Sequence, residues 1–157
     1  MLISKLALIL HQIKNLNSIQ NMTNALEILA KFEIRPSLQR VAVMDYVLKN
    51  RFHPTADEIY DELMKTMPTL SRTTVYNTLH LLTEKGAIRA LHLEKDAVHF
   101  DAGLHPHAHF ICSQCRKIHD VDIPEDVWNK VLSYAPVPDA EMQINYRATC
   151  HSCLENN

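Results

Sequence analysis

The first half of the chain has apolar residues at helical spacing, whereas the second half has short runs in which apolar and polar residues alternate. Spacing near 3.6 residues predicts amphipathic helices, and alternation predicts strands with one buried face. The pattern therefore predicts an α+β fold, with a group of helices first and a small sheet afterwards. We divide the chain into an amino-terminal extension, 1–21, and two domains, 22–102 and 103–157.

The extension contains apolar residues that share one face of a predicted amphipathic helix. These residues are Leu6, Ile9, Leu10, Ile13 and Leu16. An alternative is that the extension lies outside the core fold and that Met22 is a second start, because the pattern after Met22 is complete without it. The apolar run over 6–10 is far shorter than the ~20 residues that span a bilayer, and no small-residue cleavage site follows it. We therefore predict neither a membrane segment nor an export signal.

Four helices are predicted in the first domain, and residues suited to helix ends mark most of their boundaries. The predicted helices cover 24–32, 37–49, 55–67 and 72–85. Ser37, Thr55 and Ser71 are residue types favoured at the N-cap. Glu58 stands three residues after Thr55, which is the spacing of a capping box. Gly86 suits the position after the end of the fourth helix, where a positive φ is common.

Two short predicted strands, 87–93 and 97–100, follow the helices and are joined by a charged turn at 94–96. A helical group followed by such a hairpin is the layout of a winged helix-turn-helix, with 72–85 as its recognition helix. Polar and aromatic residues on the outward face of this helix are candidates for DNA contact. They are Arg72, Thr73, Tyr76, Asn77 and His80. A solvated helix in a small bundle is the alternative.

The second domain has the pattern strand, turn, strand, helix, strand. The predicted elements are strands 109–112 and 117–123, a helix over 124–134 with Pro124 at its first position, and a strand over 141–149. The last strand alternates in polarity, which predicts one buried face. So short a module buries little apolar area, and we expect it to need a metal, a partner subunit, or both.

The composition is that of a globular protein, with 46% apolar and 22% charged residues. The formal net charge is -2 and no segment is strongly basic, so charge alone does not predict nucleic-acid binding. All the cysteines fall into two Cys-x-x-Cys pairs. They are Cys112, Cys115, Cys150 and Cys153. Disulfides are the alternative, but such pairs in a chain without an export signal favour a structural four-thiolate zinc site in a reducing, cytoplasmic compartment.

The histidines provide a second kind of metal ligand beside the first cysteine pair. His107 and His109 are two residues apart at the start of a predicted strand, so their side chains point to the same side and can bind one ion. Imidazole nitrogen suits zinc and divalent iron or manganese. His99 and His105 form either a second metal site near the hinge or a pair of exposed hinge histidines.

Four motifs in order resemble the ferric uptake regulator family of metal-dependent bacterial repressors. They are the segments 53–60, 71–79, 107–115 and 150–153. The resemblance is closest to the peroxide-sensing branch of that family. It implies that 22–102 is a DNA-binding domain and that 103–157 is a dimerisation domain. It also implies a regulatory Fe(II) or Mn(II) site formed by His53, Asp101, His107, His109 and Asp120.

The resemblance also implies a mechanism. The regulatory metal joins the two domains, so that the recognition helices of a homodimer fit a palindromic operator in double-stranded DNA. Bound Fe(II) reacts with hydrogen peroxide and oxidises His53 or His107, after which repression is lost. Such a protein is not an enzyme and takes no small-molecule substrate other than peroxide. Asp120 favours peroxide sensing, because iron-sensing relatives tend to carry glutamate there.

One motif departs from the family pattern, since the usual Arg-x-Thr-Pro-Gln-Arg appears here as 35–40 with its proline displaced to Pro36. Ser37 still suits an N-cap and Arg40 can still reach a phosphate.

Two other functions remain open. One is a repressor that responds to iron or another metal without oxidation. The other is a zinc-dependent hydrolase that uses His107, His109 and Asp120, although no motif supplies its general base.

Overall fold

The computed structural model describes residues 24–93, 97–103 and 105–155. The predicted helix of the extension and the charged turn at 94–96 lie outside these residues. The elements, in chain order, are helices α1 (24–31), α2 (Leu38–Lys49), α3 (Ala56–Leu63) and α4 (Arg72–Glu84), strands β1 (Arg89–Leu91), β2 (His99–Asp101), β3 (His107–Cys112) and β4 (Ile118–Asp122), helix α5 (Glu125–Leu132), strand β5 (Asn145–Ala148) and helix α6 (His151–Glu155).

Side chains cap three of the helices as the sequence predicts. Ser37 accepts a hydrogen bond from the amide of Arg40 at the start of α2, and Ser71 accepts one from Thr74 at the start of α4. At the start of α3, Thr55 accepts from the Glu58 amide while the Glu58 carboxylate accepts from the Thr55 amide at 2.7 Å, which completes a capping box. These bonds satisfy amides that have no partner within the helix.

Two helix ends test the predicted boundaries. Gly86 follows α4 with a φ of 75°, as expected for a residue after a helix end. The prediction that the third helix runs to about residue 67 is wrong, because α3 ends at Leu63. The amides of Lys65 and Thr66 bond to carbonyls three residues earlier, and these tighter turns end the helix before Pro68.

The first module is a winged helix-turn-helix. α2, α3 and α4 pack around one apolar core together with α1, and this core contains Met44, Ile59, Val75 and Leu82. The strands β1 and β2 pair antiparallel directly after α4, with Arg89 opposite Asp101. The predicted hairpin and fold class are therefore confirmed, and the hairpin brings a wing residue beside a predicted metal ligand.

The second module is a three-stranded sheet in the order β4-β3-β5. β3 pairs antiparallel with β4 and parallel with β5, and the chain passes through α5 between β4 and β5, which lie on opposite sides of β3. Pro124 is the N-cap of α5 and not its first residue. β5 covers only Asn145–Ala148, and its predicted buried face is exposed in the single chain, because no described layer packs on it. The short helix α6 has no counterpart among the predicted elements.

A small apolar cluster joins the wing to the second module. Leu91 and Leu93 of the hairpin pack with Ile111 of β3 and Ile118 of β4, and all four side chains are buried. The guanidinium of Arg147 also donates to the carbonyl of Leu93. These contacts hold the wing close to β3, which carries the histidine pair. None of the described helices combines the length and the apolar character needed to cross a lipid bilayer.

Candidate metal centres

The four cysteines form one cluster at the end of the three-stranded sheet. Cys112 ends β3, Cys115 lies in the following turn, and Cys150 and Cys153 lie at α6. The sulfur of Cys112 is 4.0 Å from that of Cys153, and the sulfur of Cys115 is 3.8 Å from that of Cys150. Disulfide sulfurs are ~2 Å apart. Four sulfurs placed tetrahedrally at ~2.3 Å from a zinc ion are ~3.8 Å apart, so the cluster has the dimensions of a four-thiolate zinc site.

The backbone around Cys112 favours its thiolate form. The amides of Cys115, Cys150 and Gln114 point at its sulfur at 3.2 to 3.4 Å, and they lower the pKa of this thiol to about 5. A hydrogen bond with Cys150 raises the pKa of Cys153 to about 12. A divalent cation that binds the cluster would displace the protons that the sulfurs otherwise share. His151 is exposed and lies beside Glu155, so it is not a fifth ligand.

A second cluster lies between the two modules. It contains His53 from the loop before α3, His107 and His109 from β3, and Asp120 from β4, with ligand atoms within 4.8 Å of one another. Asp101 of β2 adjoins them, because its carboxylate oxygens lie 3.7 Å from His53 Nε2 and 3.3 Å from His107 Nε2. The structure thus brings together all five residues that the family resemblance implies, and the chain contributes them from both modules.

Burial holds two of these histidines neutral. Burial lowers the pKa of His53 against the opposing effect of Asp120 and Asp101. Burial and the two neighbouring imidazoles lower the pKa of His109 to about 4. A metal binds only the neutral imidazole, so these side chains are in the form that a cation requires.

His107 and Asp101 form the charged part of the cluster. The contact with Asp101 raises the pKa of His107 despite burial. Burial opposes ionisation of Asp101, but the contact with His107 and a 2.6 Å hydrogen bond from the Gly103 amide outweigh it and lower the pKa of this carboxyl. The two residues interact as an ion pair at the position where a metal would replace the proton.

Unpaired nitrogen atoms indicate that the cluster is built for a cation. Among the described residues, neither ring nitrogen of His109 has a hydrogen-bond partner, although both are buried. Buried polar atoms rarely stay unpaired unless a water, an ion or a reaction uses them. His107 Nδ1 lies 2.9 Å from the carbonyl of His105, to which it can only donate, so Nε2 is the nitrogen that faces the cluster and can bind a metal once its proton has left. Three nitrogen and two carboxylate ligands suit Fe(II) or Mn(II).

The candidate DNA-contact residues divide into two groups. Thr73, Tyr76, Asn77 and His80 are exposed on α4. Arg72 instead pairs with Asp57 and Asp61 of α3, and its guanidinium stacks over the ring of Tyr60.

Arg40, the remaining candidate, donates to the carbonyl of Arg35 at 2.7 Å. Because exposed ion pairs are weak, Arg72 could exchange its carboxylates for phosphate. All six DNA contacts stay predictions.

Two residues near the histidine cluster have roles that the sequence reasoning missed. Arg89 lies 3.2 Å from the Asp101 carboxylate, and the antiparallel register of the predicted hairpin could have indicated this pairing. For His99 the sequence predicts either a second metal site with His105 or an exposed position near the hinge. Its Nδ1 instead lies 2.7 Å from the carbonyl of His53, and His105 is exposed. No metal-ligand group that includes either histidine occurs in the described part of the chain.

The fold and the two clusters define a winged-helix protein with two candidate metal sites. The family model described as Ferric uptake regulator family matches residues 31–144. The chain belongs to this family.

Two curated relatives are called peroxide-responsive repressor PerR. The protein from Staphylococcus aureus strain Mu50 is 39% identical over 92 residues, which cover 59% of this chain and 62% of that protein. The protein from Staphylococcus epidermidis is 38% identical over 97 residues, which cover 62% of this chain and 65% of that protein. The matched region spans less than two thirds of either relative.

Solved structures share the fold at lower identity. The Helicobacter pylori ferric uptake regulator Fur matches with a TM-score of 0.67 at 22% identity, over 86% of this chain and 93% of that chain. The ferric uptake regulator from Francisella tularensis, solved with iron, matches with a TM-score of 0.63 at 23% identity, over 77% of this chain and 95% of that chain.

Proposed function

We propose that the chain is a metal-dependent, DNA-binding transcriptional repressor that senses hydrogen peroxide through oxidation of a ligand histidine. The ferric uptake regulator family is one of transcriptional regulators, and two relatives are called peroxide-responsive repressors. The observation that carries the proposal is the cluster of three buried histidines, the buried Asp101 and the more exposed Asp120, whose members come from both modules.

In this proposal zinc has a structural role. Cys112, Cys115, Cys150 and Cys153 hold one Zn(II), which ties α6 to the end of β3. A closed four-thiolate site leaves no open position for a substrate, and such a site contributes folding free energy. Among the described residues, four side chains form the buried cluster that joins the second module to the wing. So small a cluster stabilises the module little, and in this proposal the module needs the zinc ion to fold stably.

The histidine cluster is the regulatory site. His53 and Asp101 belong to the winged-helix module, whereas His107, His109 and Asp120 belong to the sheet module. A cation bound by all five ligands fixes the angle between the two modules. In a homodimer this angle sets the spacing of the two recognition helices, which must match the half-sites of a palindromic operator.

The sheet module offers a surface for the partner subunit. Apolar side chains on α5 and β5 are exposed in the single chain, including Val127, Val131 and Tyr146, with exposed fractions of 45 to 48%. Exposed apolar side chains such as these are suited to pack against a partner subunit. We assign it to a second copy of the chain.

Peroxide would act at the same site. A bound Fe(II) would activate hydrogen peroxide, so that one peroxide oxygen is added to a ligand imidazole, which is oxidised by two electrons, and the other oxygen leaves as water. His53 and His107 are the residues we expect to react. Both direct Nε2 towards the aspartates, at 3.0 Å from Asp120 for His53 and 3.3 Å from Asp101 for His107. Oxygen added at the ring carbon between the two nitrogens makes both of them amide-like, so neither offers a lone pair to a metal and the modules separate.

The test compares two metal forms of the full-length chain. The Fe(II)-loaded and Mn(II)-loaded proteins receive equal peroxide, and mass spectrometry of tryptic peptides locates any added oxygen. We expect one added oxygen on His53 or His107 in the Fe(II) form and none in the Mn(II) form, with operator release only in the former. His119 is exposed on β4 and serves as the internal control that stays unmodified. Metal-dependent operator binding without histidine oxidation would replace this proposal by a repressor that responds to metal supply.

A further inference from the structure

His53 has an unusual backbone conformation. Its φ is 56°, in the left-handed region that residues other than glycine, asparagine and aspartate seldom adopt. It also precedes Pro54, and a proline restricts the backbone of the residue before it. Such a conformation persists only when the surrounding structure holds it in place.

The wing strand β2 supplies that support. His99 Nδ1 lies 2.7 Å from the carbonyl oxygen of His53. Because a carbonyl only accepts hydrogen bonds, the ring nitrogen of His99 is the donor. The amide of Phe100 donates to the carbonyl of Pro54 at 3.0 Å, and Thr55 forms an antiparallel bridge with His99. β2 is therefore hydrogen bonded to the segment that carries His53.

The ring nitrogen of His53 that points away from the aspartates has no acceptor among the described residues. A metal-binding histidine normally donates its second ring nitrogen to an acceptor, which fixes the direction of the ring. His107 does so through the carbonyl of His105. The second nitrogen of His53, Nδ1, has no hydrogen-bond partner among the described residues. The direction of this ring is consequently set by the backbone that His99 holds.

We propose that His99 is a positioning residue for the regulatory metal site, acting through its hydrogen bond to the backbone of His53. The inference rests on the proposed function of that site. His99 stands two residues before Asp101 on β2, so one strand carries a ligand and also fixes another. The winged-helix module thereby presents His53 and Asp101 as one preassembled half of the site.

Three substitutions test whether the donor at the position of Nδ1 matters. His99→Leu removes the donor, His99→Asn keeps a nitrogen donor where Nδ1 stands, and His99→Gln places its donor one bond farther out. Losing a hydrogen bond that orients a metal ligand weakens metal binding about 10–100-fold. We expect a loss in this range for His99→Leu and His99→Gln, and near wild-type affinity for His99→Asn.

The measurement is the affinity of the full-length, zinc-loaded protein for Mn(II), followed by the paramagnetic resonance spectrum of the ion. The thermal midpoint without manganese is recorded for each variant, and a general loss of folding would lower it. If His99→Leu fails to fold, the difference in Mn(II) affinity between His99→Asn and His99→Gln tests the role of the donor.

Equal affinity of the asparagine and glutamine variants would overturn the inference, as would wild-type affinity in a folded leucine variant. Failure of the wild-type protein itself to bind Mn(II) would instead refute the proposed function.

Discussion

The affinity of the regulatory site for Mn(II) should depend on pH through one histidine. In the metal-free protein His107 has a raised pKa because of its contact with Asp101, whereas His53 and His109 have lowered ones because they are buried. A cation binds only deprotonated ligands. Just below pH 6.5, therefore, His107 is protonated and must release its proton, while the other two histidines have none to release.

The expected change in Mn(II) affinity with pH follows from the number of protons that one bound cation displaces. If each bound cation displaces one proton, the dissociation constant rises about tenfold for each pH unit of acidification, or about 1.4 kcal/mol of binding free energy per unit. The ordinary histidine pKa is 6.5 and that of His107 lies above it, so the dependence should already be visible on acidification from neutral pH. Asp101 adds nothing in this range, because its contact with His107 and the hydrogen bond from Gly103 lower the pKa of its carboxyl.

The assay is Mn(II) titration of the zinc-loaded protein at several pH values, with proton release measured by calorimetry in buffers of different ionisation enthalpy. His119→Ala is the matched control, because His119 is exposed on β4 and lies outside the cluster; its pH dependence should equal that of the wild type. Release of nearly three protons would mean that the buried histidines are charged in the metal-free protein. Either that result or no release at all would refute the reasoning.

Three further predictions concern a helix cap, the zinc site and an aspartate ligand. Thr55→Ala should lower the free energy of unfolding by about 1 kcal/mol, because α3 loses its capping box, and Thr55→Ser should not; equal urea denaturation of both variants would contradict this. Cys150→Ser should lose zinc and lower the thermal midpoint, and a zinc-free variant with an unchanged midpoint would argue against a structural metal. Asp120→Glu should retain Mn(II) binding but slow histidine oxidation in the Fe(II) form, so an unchanged oxidation rate would count against the assigned geometry.

Local chemistry explains the parts of the fold that the sequence predicts well. Ser37, Thr55 and Ser71 cap helices through bonds to amides three residues away, and such bonds depend on few other parts of the chain. The hairpin of the wing and the two cysteine pairs are also short-range patterns. The zinc-site geometry follows from them because two Cys-x-x-Cys pairs leave few other uses for four thiols.

Long-range contacts explain what the sequence does not predict. Arg72 pairs with Asp57 and Asp61 of another helix, which no local pattern on α4 indicates. The residues of β5 alternate in polarity, yet all four are exposed, because no layer packs on them within the described part of the chain.

The histidine cluster is a third feature that the sequence pattern does not predict in full. Spacing alone pairs only His107 with His109, and the other three ligands follow from the family resemblance. The hydrogen bond from His99 to the His53 backbone required the folded structure.

The most direct test of the central claim is operator affinity as a function of Mn(II). A palindromic duplex is selected from a random-sequence pool with the manganese-loaded protein, and its binding is then measured by fluorescence anisotropy with and without the ion. If the metal joins the two modules, the protein should bind the operator more tightly with Mn(II) than without it. The expected increase is roughly 5–150-fold, which corresponds to a typical coupling free energy between two sites. The same affinity in both states would contradict the claim that a metal joining the two modules controls DNA binding.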